Sequence, residues 1–232
     1  MPRKANRSRG SGKAVIYVFC EGESEKAYTR FLKEKFADVA IFRTPSEVGA
    51  NVFERARDRF RHDPKYRDEA EMIDEIWLFF DVETKDAEKW EARLKILRAL
   101  RKLRPKDLRV RLLMTTGCLE YWLLLHYKLV APSIQTPEQK KAIEEELRRC
   151  APAYTKGDYP STAAIAQHYP TAVENARSTV HRLSDEGLPT LQDTDARNAW
   201  LYRQGKTFST VYEAIEFLEA RRKTSAEAGK KG

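Results

Sequence analysis

Four apolar runs mark the first half of the chain, and segments with helical periodicity separate them. The runs occupy residues 14–19, 39–43, 73–80 and 109–114. Between them, apolar positions recur at helical spacing in residues 25–37, 51–61 and 87–103. The first and third runs are almost wholly apolar, which is typical of central strands in a parallel sheet. The alternation of strands and helices predicts an α/β fold with a mainly parallel sheet and crossover helices.

Beyond residue 117 the pattern becomes mainly helical. Helices are predicted over residues 118–129, 137–149, 162–186 and 208–222. Loops are expected at 151–160 and 189–206, and no internal repeat is found. We therefore predict an α/β domain over residues 14–130, followed by a helical extension over residues 131–222.

The charge of the chain is concentrated at its two ends. The 232 residues include 43 Lys and Arg against 35 Asp and Glu, a formal net charge of +8. Residues 1–13 carry five basic and no acidic side chains, and residues 220–232 carry five basic and one acidic. We predict that residues 1–13 and 223–232 are disordered basic tails. Such tails favour attraction to phosphates, although they also serve as solubility tails.

The cysteines and the hydropathy indicate a compartment. Cys20, Cys118 and Cys150 are odd in number and form no CxxC pair, so we expect free thiols in a reducing environment. The start of the chain lacks the apolar stretch of a signal peptide. No run approaches the roughly 18 apolar residues that a membrane span needs. These features predict a cytoplasmic protein that does not enter membranes.

Acidic residues follow two of the predicted strands. Glu21 comes directly after the first, and Asp81 and Glu83 follow the third at a spacing that gives them one face. Glu25 lies one helical turn after Glu21. Carboxylates at the carboxyl edge of such a sheet are hard oxygen ligands, which suit Mg²⁺ or Mn²⁺. The alternative is that these acids end their strands and simply face solvent.

These acidic motifs resemble the Toprim fold of topoisomerases, primases and OLD-type nucleases. In that pattern a glutamate follows the first strand and an Asp-x-Asp follows the third. Glu21 and Asp81 match it, whereas Glu83 replaces the second aspartate and lengthens the arm. The resemblance implies a Toprim-like, Rossmann-like sheet for residues 14–130.

A closer resemblance is to the RloB-like family, small Toprim-related proteins found near restriction and phage-defence genes. It covers roughly residues 14–220. Its hallmark features appear here as Cys20-Glu21-Gly22-Glu23-Ser24-Glu25, Phe80-Asp81-x-Glu83, Cys118-Leu119-Glu120-Tyr121-Trp122-Leu123-Leu124-Leu125-His126, Tyr154-x-Lys156 and Thr210-Val211-Tyr212.

The resemblance implies a nuclease that uses Mg²⁺ or Mn²⁺ and acts in defence beside an ABC- or SMC-type ATPase. Its substrate would be DNA or RNA, with tRNA one candidate, and homo-oligomerisation is left open. By carry-over, Glu21 would be a general acid or base or a metal ligand, and Asp81 and Glu83 would hold the metal. Glu120 could reach the same sheet edge as a further catalytic residue, and Glu25 could join the metal ligands.

Substrate contacts are predicted among basic residues near these acids. Lys85 and Lys89 begin a basic run directly after Glu83, where they could meet a phosphate backbone, or form a solvated helix face. Lys156 is a candidate in the loop after the charged helix. His126 would contact substrate by family resemblance, whereas its apolar surroundings favour a hydrogen-bonded core histidine.

Two other functions are compatible with the sequence. The segment Phe80-Asp81-Val82-Glu83-Thr84, together with His181 and Asp185, resembles motifs of DnaQ-like exonucleases, whose chemistry would not need Glu21. In those enzymes the Asp-x-Glu strand usually opens the domain. The chain could also be a non-catalytic, partner-binding subunit whose acids are structural, because a fold does not by itself imply a function.

Overall fold

A parallel four-stranded sheet forms the centre of the molecule. The computed structural model describes residues 12–104 and 108–229. Its strands are β1 (Ala14–Cys20), β2 (Ala40–Arg43), β3 (Glu75–Val82) and β4 (Arg109–Thr116), in the spatial order β2-β1-β3-β4. Every pairing in this sheet is parallel. The predicted α/β, Rossmann-like fold is therefore confirmed.

Helices connect and cover the strands. The α-helices are α1 (Glu23–Lys35), α2 (Val52–His62), α3 (Pro64–Glu69), α4 (Trp90–Arg101), α5 (Leu119–Leu124), α6 (Pro137–Cys150), α7 (Tyr159–Ala166), α8 (Tyr169–Arg182), α9 (Asp195–Arg203) and α10 (Val211–Gly229). Short 3₁₀ helices occupy Ala70–Met72, Thr84–Lys89 and Leu183–Glu186.

The two faces of the sheet are covered by different helices. Phe80 of β3 contacts Phe53 of α2, with ring centroids 5.0 Å apart, on the face that α2 and α4 cover. Its neighbour Phe79 points the opposite way and meets Tyr28 of α1 at 6.4 Å. Successive residues of a strand alternate between faces, so a strand buried on both is mostly apolar. This explains the apolar run from residue 76 to residue 80 within β3.

The helical second half packs directly on the sheet. Helix α10 contacts β4, and Ser209 forms an isolated antiparallel bridge with Thr115. The amide of Thr210 donates to the Met114 carbonyl at 2.8 Å, and the Thr210 hydroxyl donates to the Leu112 carbonyl at 2.8 Å. The division of the chain at residue 130 stays a prediction.

Several predicted helices have different limits. The helix expected over residues 118–129 ends at Leu124, and the one expected over 162–186 is two helices, α7 and α8. Pro170 explains the break, since it lacks an amide hydrogen and is favoured in the first turn of a helix. The loop expected over residues 189–206 contains α9, whose N-cap Thr194 accepts a hydrogen bond from the Arg197 amide at 3.2 Å.

The prediction of a disordered C-terminal tail is wrong for residues 223–229, because α10 continues to Gly229. Arg222 anchors this helix through two hydrogen bonds of 2.7 Å to Asp38. Near the N-terminal end of the described chain, the Lys13 ammonium donates to the Ala37 carbonyl at 2.7 Å. The remaining tail predictions, for residues 1–11 and 230–232, lie outside the described residues. Within the described part of the chain, no helix is long and apolar enough to cross a lipid bilayer.

Candidate functional site

The candidate site lies where the strand order reverses. From β1 the chain continues to β2 on one side, whereas β3 pairs with β1 on the other. In open α/β sheets the crevice at the carboxyl ends of two such strands is where ligands bind. Glu21 directly follows β1 and Asp81 lies near the end of β3, so the fold brings these two predicted residues to that crevice.

Glu21 is held across the end of the neighbouring strand. Its amide donates to the Phe79 carbonyl at 2.9 Å, which continues the β1–β3 pairing by one residue. Its carboxylate Oε2 accepts a hydrogen bond from the Asp81 amide at 3.1 Å. Burial raises the pKa of Glu21, and the bond from the Asp81 amide partly offsets this effect. Glu21 and Asp81 are therefore directly coupled, as predicted from their positions at adjacent strand ends.

Glu25 lies buried in the first turn of α1, with 4% of its surface exposed. The helix begins at Glu23 after an extended N-cap at Gly22, so Glu21 precedes the helix and, contrary to our expectation, is not one helical turn from Glu25. A Cβ at Gly22 would stand 2.7 Å from Glu25 Oε2, so a larger residue there would displace this carboxylate. Burial, together with the charges of Glu21 and Glu120, raises the pKa of Glu25 to about 7.

The carboxylate of Asp81 has an oxygen that lacks a hydrogen-bond partner. Its Oδ1 is buried and has no hydrogen-bond partner. Burial and the nearby carboxylates of Glu25, Glu21 and Glu120 raise the pKa of Asp81 well above its usual range. A buried acceptor without a partner is destabilising by about 1–3 kcal/mol, so native structures rarely retain one.

Glu120 enters the cluster from the opposite side. The turn that precedes its helix uses Gly117 at φ +77°, a left-handed conformation that favours glycine. Glu120 is 1% exposed, and its carboxylate accepts a hydrogen bond of 2.9 Å from the Tyr154 hydroxyl. Lys156 Nζ lies 3.2 Å from Glu120 Oε1 and 3.3 Å from Oε2. Lys156 therefore borders these carboxylates, and the substrate contact predicted for it stays a prediction.

Glu83 lies beside these carboxylates, where its charge raises the pKa of Glu21, but its own carboxylate pairs with two lysines. Its Oε1 accepts from Lys140 of α6 and its Oε2 pairs with Lys85. Burial alone would raise the pKa of Glu83, but the hydrogen bonds from the two lysines outweigh it and lower the pKa. The shared strand face with Asp81 led us to predict that Glu83 is a metal ligand, and that role stays a prediction.

The other predicted substrate contacts have mixed positions. Lys85 and Lys89 are exposed, and Lys89 lies 2.7 Å from Asp86. His126 lies in the core: its Nδ1 is 3.0 Å from the Trp122 carbonyl and its Nε2 is 3.2 Å from the Tyr28 hydroxyl. Burial lowers the pKa of His126 to about 3. His126 is therefore a hydrogen-bonded core residue, and the substrate contact predicted for it is contradicted.

Two cations near the site were missed by the sequence reasoning. Lys140 reaches Glu83 from the charged helix α6. Arg93 of α4 is buried against the rings of Phe53 and Tyr202, at 4.8 and 5.0 Å from their centroids, and influences the pKa of Glu21. Both lie in helices rich in lysine and arginine, so no local signal in the sequence distinguishes them from solvent-exposed neighbours.

The cluster of Glu21, Glu25, Asp81 and Glu120, named the acidic cluster below, has the chemistry of a divalent-cation site. Its donors are hard oxygens that repel one another, and Asp81 Oδ1 is buried without a partner. A divalent cation such as Mg²⁺ would offset the repulsion between the carboxylates and would give Asp81 Oδ1 a partner. Within residues 12–104 and 108–229, however, no three Asp, Glu, His or Cys side chains already converge at metal-binding distances. The donor chemistry of the cluster suits a metal, but its side chains would have to turn toward the cation for it to bind.

The comparisons with known proteins place this site in a family. A family model described as RloB-like protein matches residues 16–218. Neither the curated proteins nor the solved structures contain a significant match. The matched residues include β3, residues 16–20 of β1 and all four carboxylates of the acidic cluster.

Proposed function

Since the chain belongs to the RloB-like family, we propose that it is a metal-dependent nuclease that hydrolyses phosphodiester bonds of DNA or RNA with Mg²⁺ or Mn²⁺. The observation that carries this proposal is the buried, unpaired Oδ1 of Asp81 among three further carboxylates at the switch point of the sheet. Such an arrangement is destabilising in the absence of a cation, and sites of this kind are commonly functional.

The residues of the acidic cluster would have different roles in this reaction. Asp81 and Glu21 would hold the metal, with Glu25 and Glu120 completing its surroundings. A bound divalent ion lowers the pKa of a water molecule and stabilises charge on a phosphoryl group. The Asp81 amide holds the Glu21 carboxylate in place at the end of β3. Tyr154 and Lys156 hold Glu120 on the opposite side.

Glu25 has a distinct part in this proposal. Its carboxyl group has a pKa of about 7 in the metal-free protein, so near neutral pH it can hold or release a proton. A bound cation would offset the repulsion from Glu21 and Glu120, so Glu25 would release its proton to water. Proton release on metal binding is therefore part of the proposal.

We further propose, from family membership, that the nuclease acts in anti-phage defence with an ABC- or SMC-type ATPase. Such a partner could hold the activity off until infection. A nuclease assay on the chain alone and on the chain with a co-expressed ATPase would test whether the partner changes the cleavage rate.

The experiment that tests the nuclease is a cleavage assay on single-stranded DNA, duplex DNA and total tRNA, with Mn²⁺, with Mg²⁺ and with EDTA. The wild type is compared with Asp81→Asn and Glu21→Gln, which remove charge and preserve shape. Glu88→Gln is the matched control, because Glu88 is an exposed acid a few residues beyond Asp81. We expect both site variants to lose at least about 100-fold in rate and the control to be unaffected.

The outcomes separate the competing functions. Metal-dependent cleavage that is lost in both variants supports the Toprim-type nuclease, and the probe that is degraded identifies the substrate. Loss in Asp81→Asn but not in Glu21→Gln would favour the DnaQ-like alternative. The structure weighs against that alternative, since two strands and three helices precede β3 and Glu83 is engaged by lysines.

A second candidate is a non-catalytic, partner-binding subunit. It is favoured by one observation, that no three ligating side chains converge in the described parts of the chain. Titration calorimetry with Mn²⁺ distinguishes it from the nuclease. Absence of Mn²⁺ binding, together with no cleavage of any probe in the presence of the ATPase, would support the subunit and contradict the nuclease.

A further inference from the structure

We propose that Glu83, Lys85 and Lys140 form the phosphate-binding edge of the site, in which Glu83 positions two lysines instead of holding a metal. These three residues are named the lysine edge below. The inference rests on the proposed nuclease function and adds to it the place where the sugar-phosphate backbone of the substrate binds.

The contacts of Glu83 carry the first step. One carboxylate oxygen is engaged by Lys140 and the other by Lys85, so two ammonium groups share a single carboxylate. The group as a whole carries one net positive charge. Each ammonium has three N–H donors, and Glu83 engages one donor of each. Donors therefore remain for a second anion, such as a phosphate.

The position of Lys140 carries the second step. Lys140 hydrogen-bonds the carboxylate of Glu83, which follows Asp81 by two residues, and its charge acts on the Asp81 carboxylate, so the lysine edge adjoins the acidic cluster. An anionic backbone that approached four carboxylates alone would be repelled. Cations on the border of that cluster would compensate for the repulsion and hold a phosphate next to Asp81.

The start of α6 fixes Lys140 in this place. Gln135 hydrogen-bonds the Thr84 hydroxyl, which follows Glu83 directly, and donates to the Gly205 carbonyl at 2.6 Å. Thr136 caps the helix through a capping box with Gln139. The Lys140 side chain is 29% exposed, less than the 75% of Lys85. Lys140 is thus the more firmly positioned of the two cations, while both remain open to a ligand.

The test measures nucleic-acid binding without cleavage. Fluorescence anisotropy is followed in EDTA, on an Asp81→Asn background, with three labelled probes: a single-stranded DNA, the corresponding duplex and a tRNA. Lys140→Met is compared with Lys141→Met, because Lys141 is the next residue of the same helix, 78% exposed and 3.8 Å from Glu145. The three probes distinguish DNA from RNA as the source of the phosphate.

We expect Lys140→Met to weaken binding about tenfold and to reduce the slope of log K against log salt by about one. Lys141→Met should change binding by less than about twofold, and Lys140→Arg should restore most of it. If Lys140→Met behaves like Lys141→Met, or if no probe binds the wild-type lysine edge, the proposal is wrong.

Glu83→Gln tests the positioning role. If Glu83 holds Lys140 in place, adding Lys140→Met to the Glu83→Gln variant should weaken binding by less than about threefold, since the lysine is already released. In calorimetry on the otherwise wild-type protein, Glu83→Gln should leave Mn²⁺ affinity unchanged, whereas Asp81→Asn should abolish it. An increase of tenfold or more in the Mn²⁺ Kd of Glu83→Gln would identify a metal ligand and overturn the proposal.

Failure of this inference and failure of the nuclease have different signatures. A wild type that binds the probes through Lys140 but never cleaves them refutes the nuclease and leaves the lysine edge intact. Metal-dependent cleavage that is insensitive to Lys140→Met at low substrate concentration refutes the lysine edge and leaves the nuclease intact.

Discussion

Replacing Glu25 by glutamine should stabilise the metal-free protein, and the gain should depend on pH. Glu25 is 4% exposed, and its carboxylate lies among like charges. Glutamine has nearly the same shape but no charge, and its carbonyl oxygen can still accept hydrogen bonds. Removing the charge therefore relieves repulsion in the folded state without opening a cavity.

The size of the effect follows from the pKa of Glu25, which rises from its ordinary value of 4.5 to about 7 on folding. At 1.36 kcal/mol for each pKa unit, the ionised form destabilises the folded chain by about 3 kcal/mol. The folded state binds this proton more tightly than the unfolded state does. Protonation of Glu25 therefore stabilises the folded chain fully below pH 4.5, and this stabilisation is lost as the pH rises through 7.

The assay is urea unfolding in EDTA at pH 5 and at pH 8.5, followed by circular dichroism. We expect Glu25→Gln to raise the free energy of unfolding by about 3 kcal/mol at pH 8.5 and by about 1 kcal/mol at pH 5. For a chain of this size, the larger gain corresponds to a rise in Tm of roughly 6–12 °C. Glu88→Gln, at an exposed acid, should change stability by less than about 0.5 kcal/mol at both pH values.

A Glu25→Gln variant that is no more stable than the wild type at pH 8.5 would refute the reasoning. An equal gain at both pH values would also refute it, because only a difference in protonation predicts the pH dependence. Mn²⁺ provides an independent check: it should stabilise the wild type more than the variant, since binding to the folded state alone adds stability by mass action.

Two further predictions concern the framework of the site. Arg111→Met should lower the free energy of unfolding by about 3–5 kcal/mol in urea, because Glu75, 3% exposed, loses a guanidinium that contacts it at 2.7 and 2.8 Å. Arg98→Ala, at a side chain 62% exposed, should cost less than about 1 kcal/mol, and equal losses in the two variants would contradict the buried ion pair. Gly117→Ala should lower the unfolding free energy by at least about 2 kcal/mol and slow cleavage. Gly117 has φ +77°, and a Cβ there would lie 2.4 Å from Ile134 Cγ2 and 3.0 Å from the Ile134 carbonyl oxygen. A loss below about 1 kcal/mol, measured by thermal or urea unfolding, would show that the turn relaxes.

The strands could be predicted closely because burial acts on the sequence locally. The runs at residues 14–19 and 73–80 correspond to β1 (Ala14–Cys20) and β3 (Glu75–Val82), each within two residues. A strand covered on both faces is mostly apolar, so its pattern does not depend on which helices cover it. The helices of the second half were harder to delimit, because polar caps and prolines set their ends.

The meeting of Glu21 and Asp81 could also be predicted, because parallel strands end at one edge of a sheet. The lysine contacts of Glu83 could not be predicted in this way. Glu83 follows Asp81 by two residues, but its partner Lys140 lies 57 residues further along the chain. His126 shows the same limit, since an apolar helix is equally compatible with a core histidine and with a wall of the site.

Three properties can be predicted from the sequence alone, because each depends on local patterns of burial and on motif spacing: the parallel α/β architecture, the RloB-like membership and the sheet edge at which the acids gather. Which acids lie together depends instead on the packing of the folded chain. Burial and charge at a point are sums over side chains from distant segments. Packing thus placed Glu120 beside Asp81 and turned Glu83 toward its two lysines.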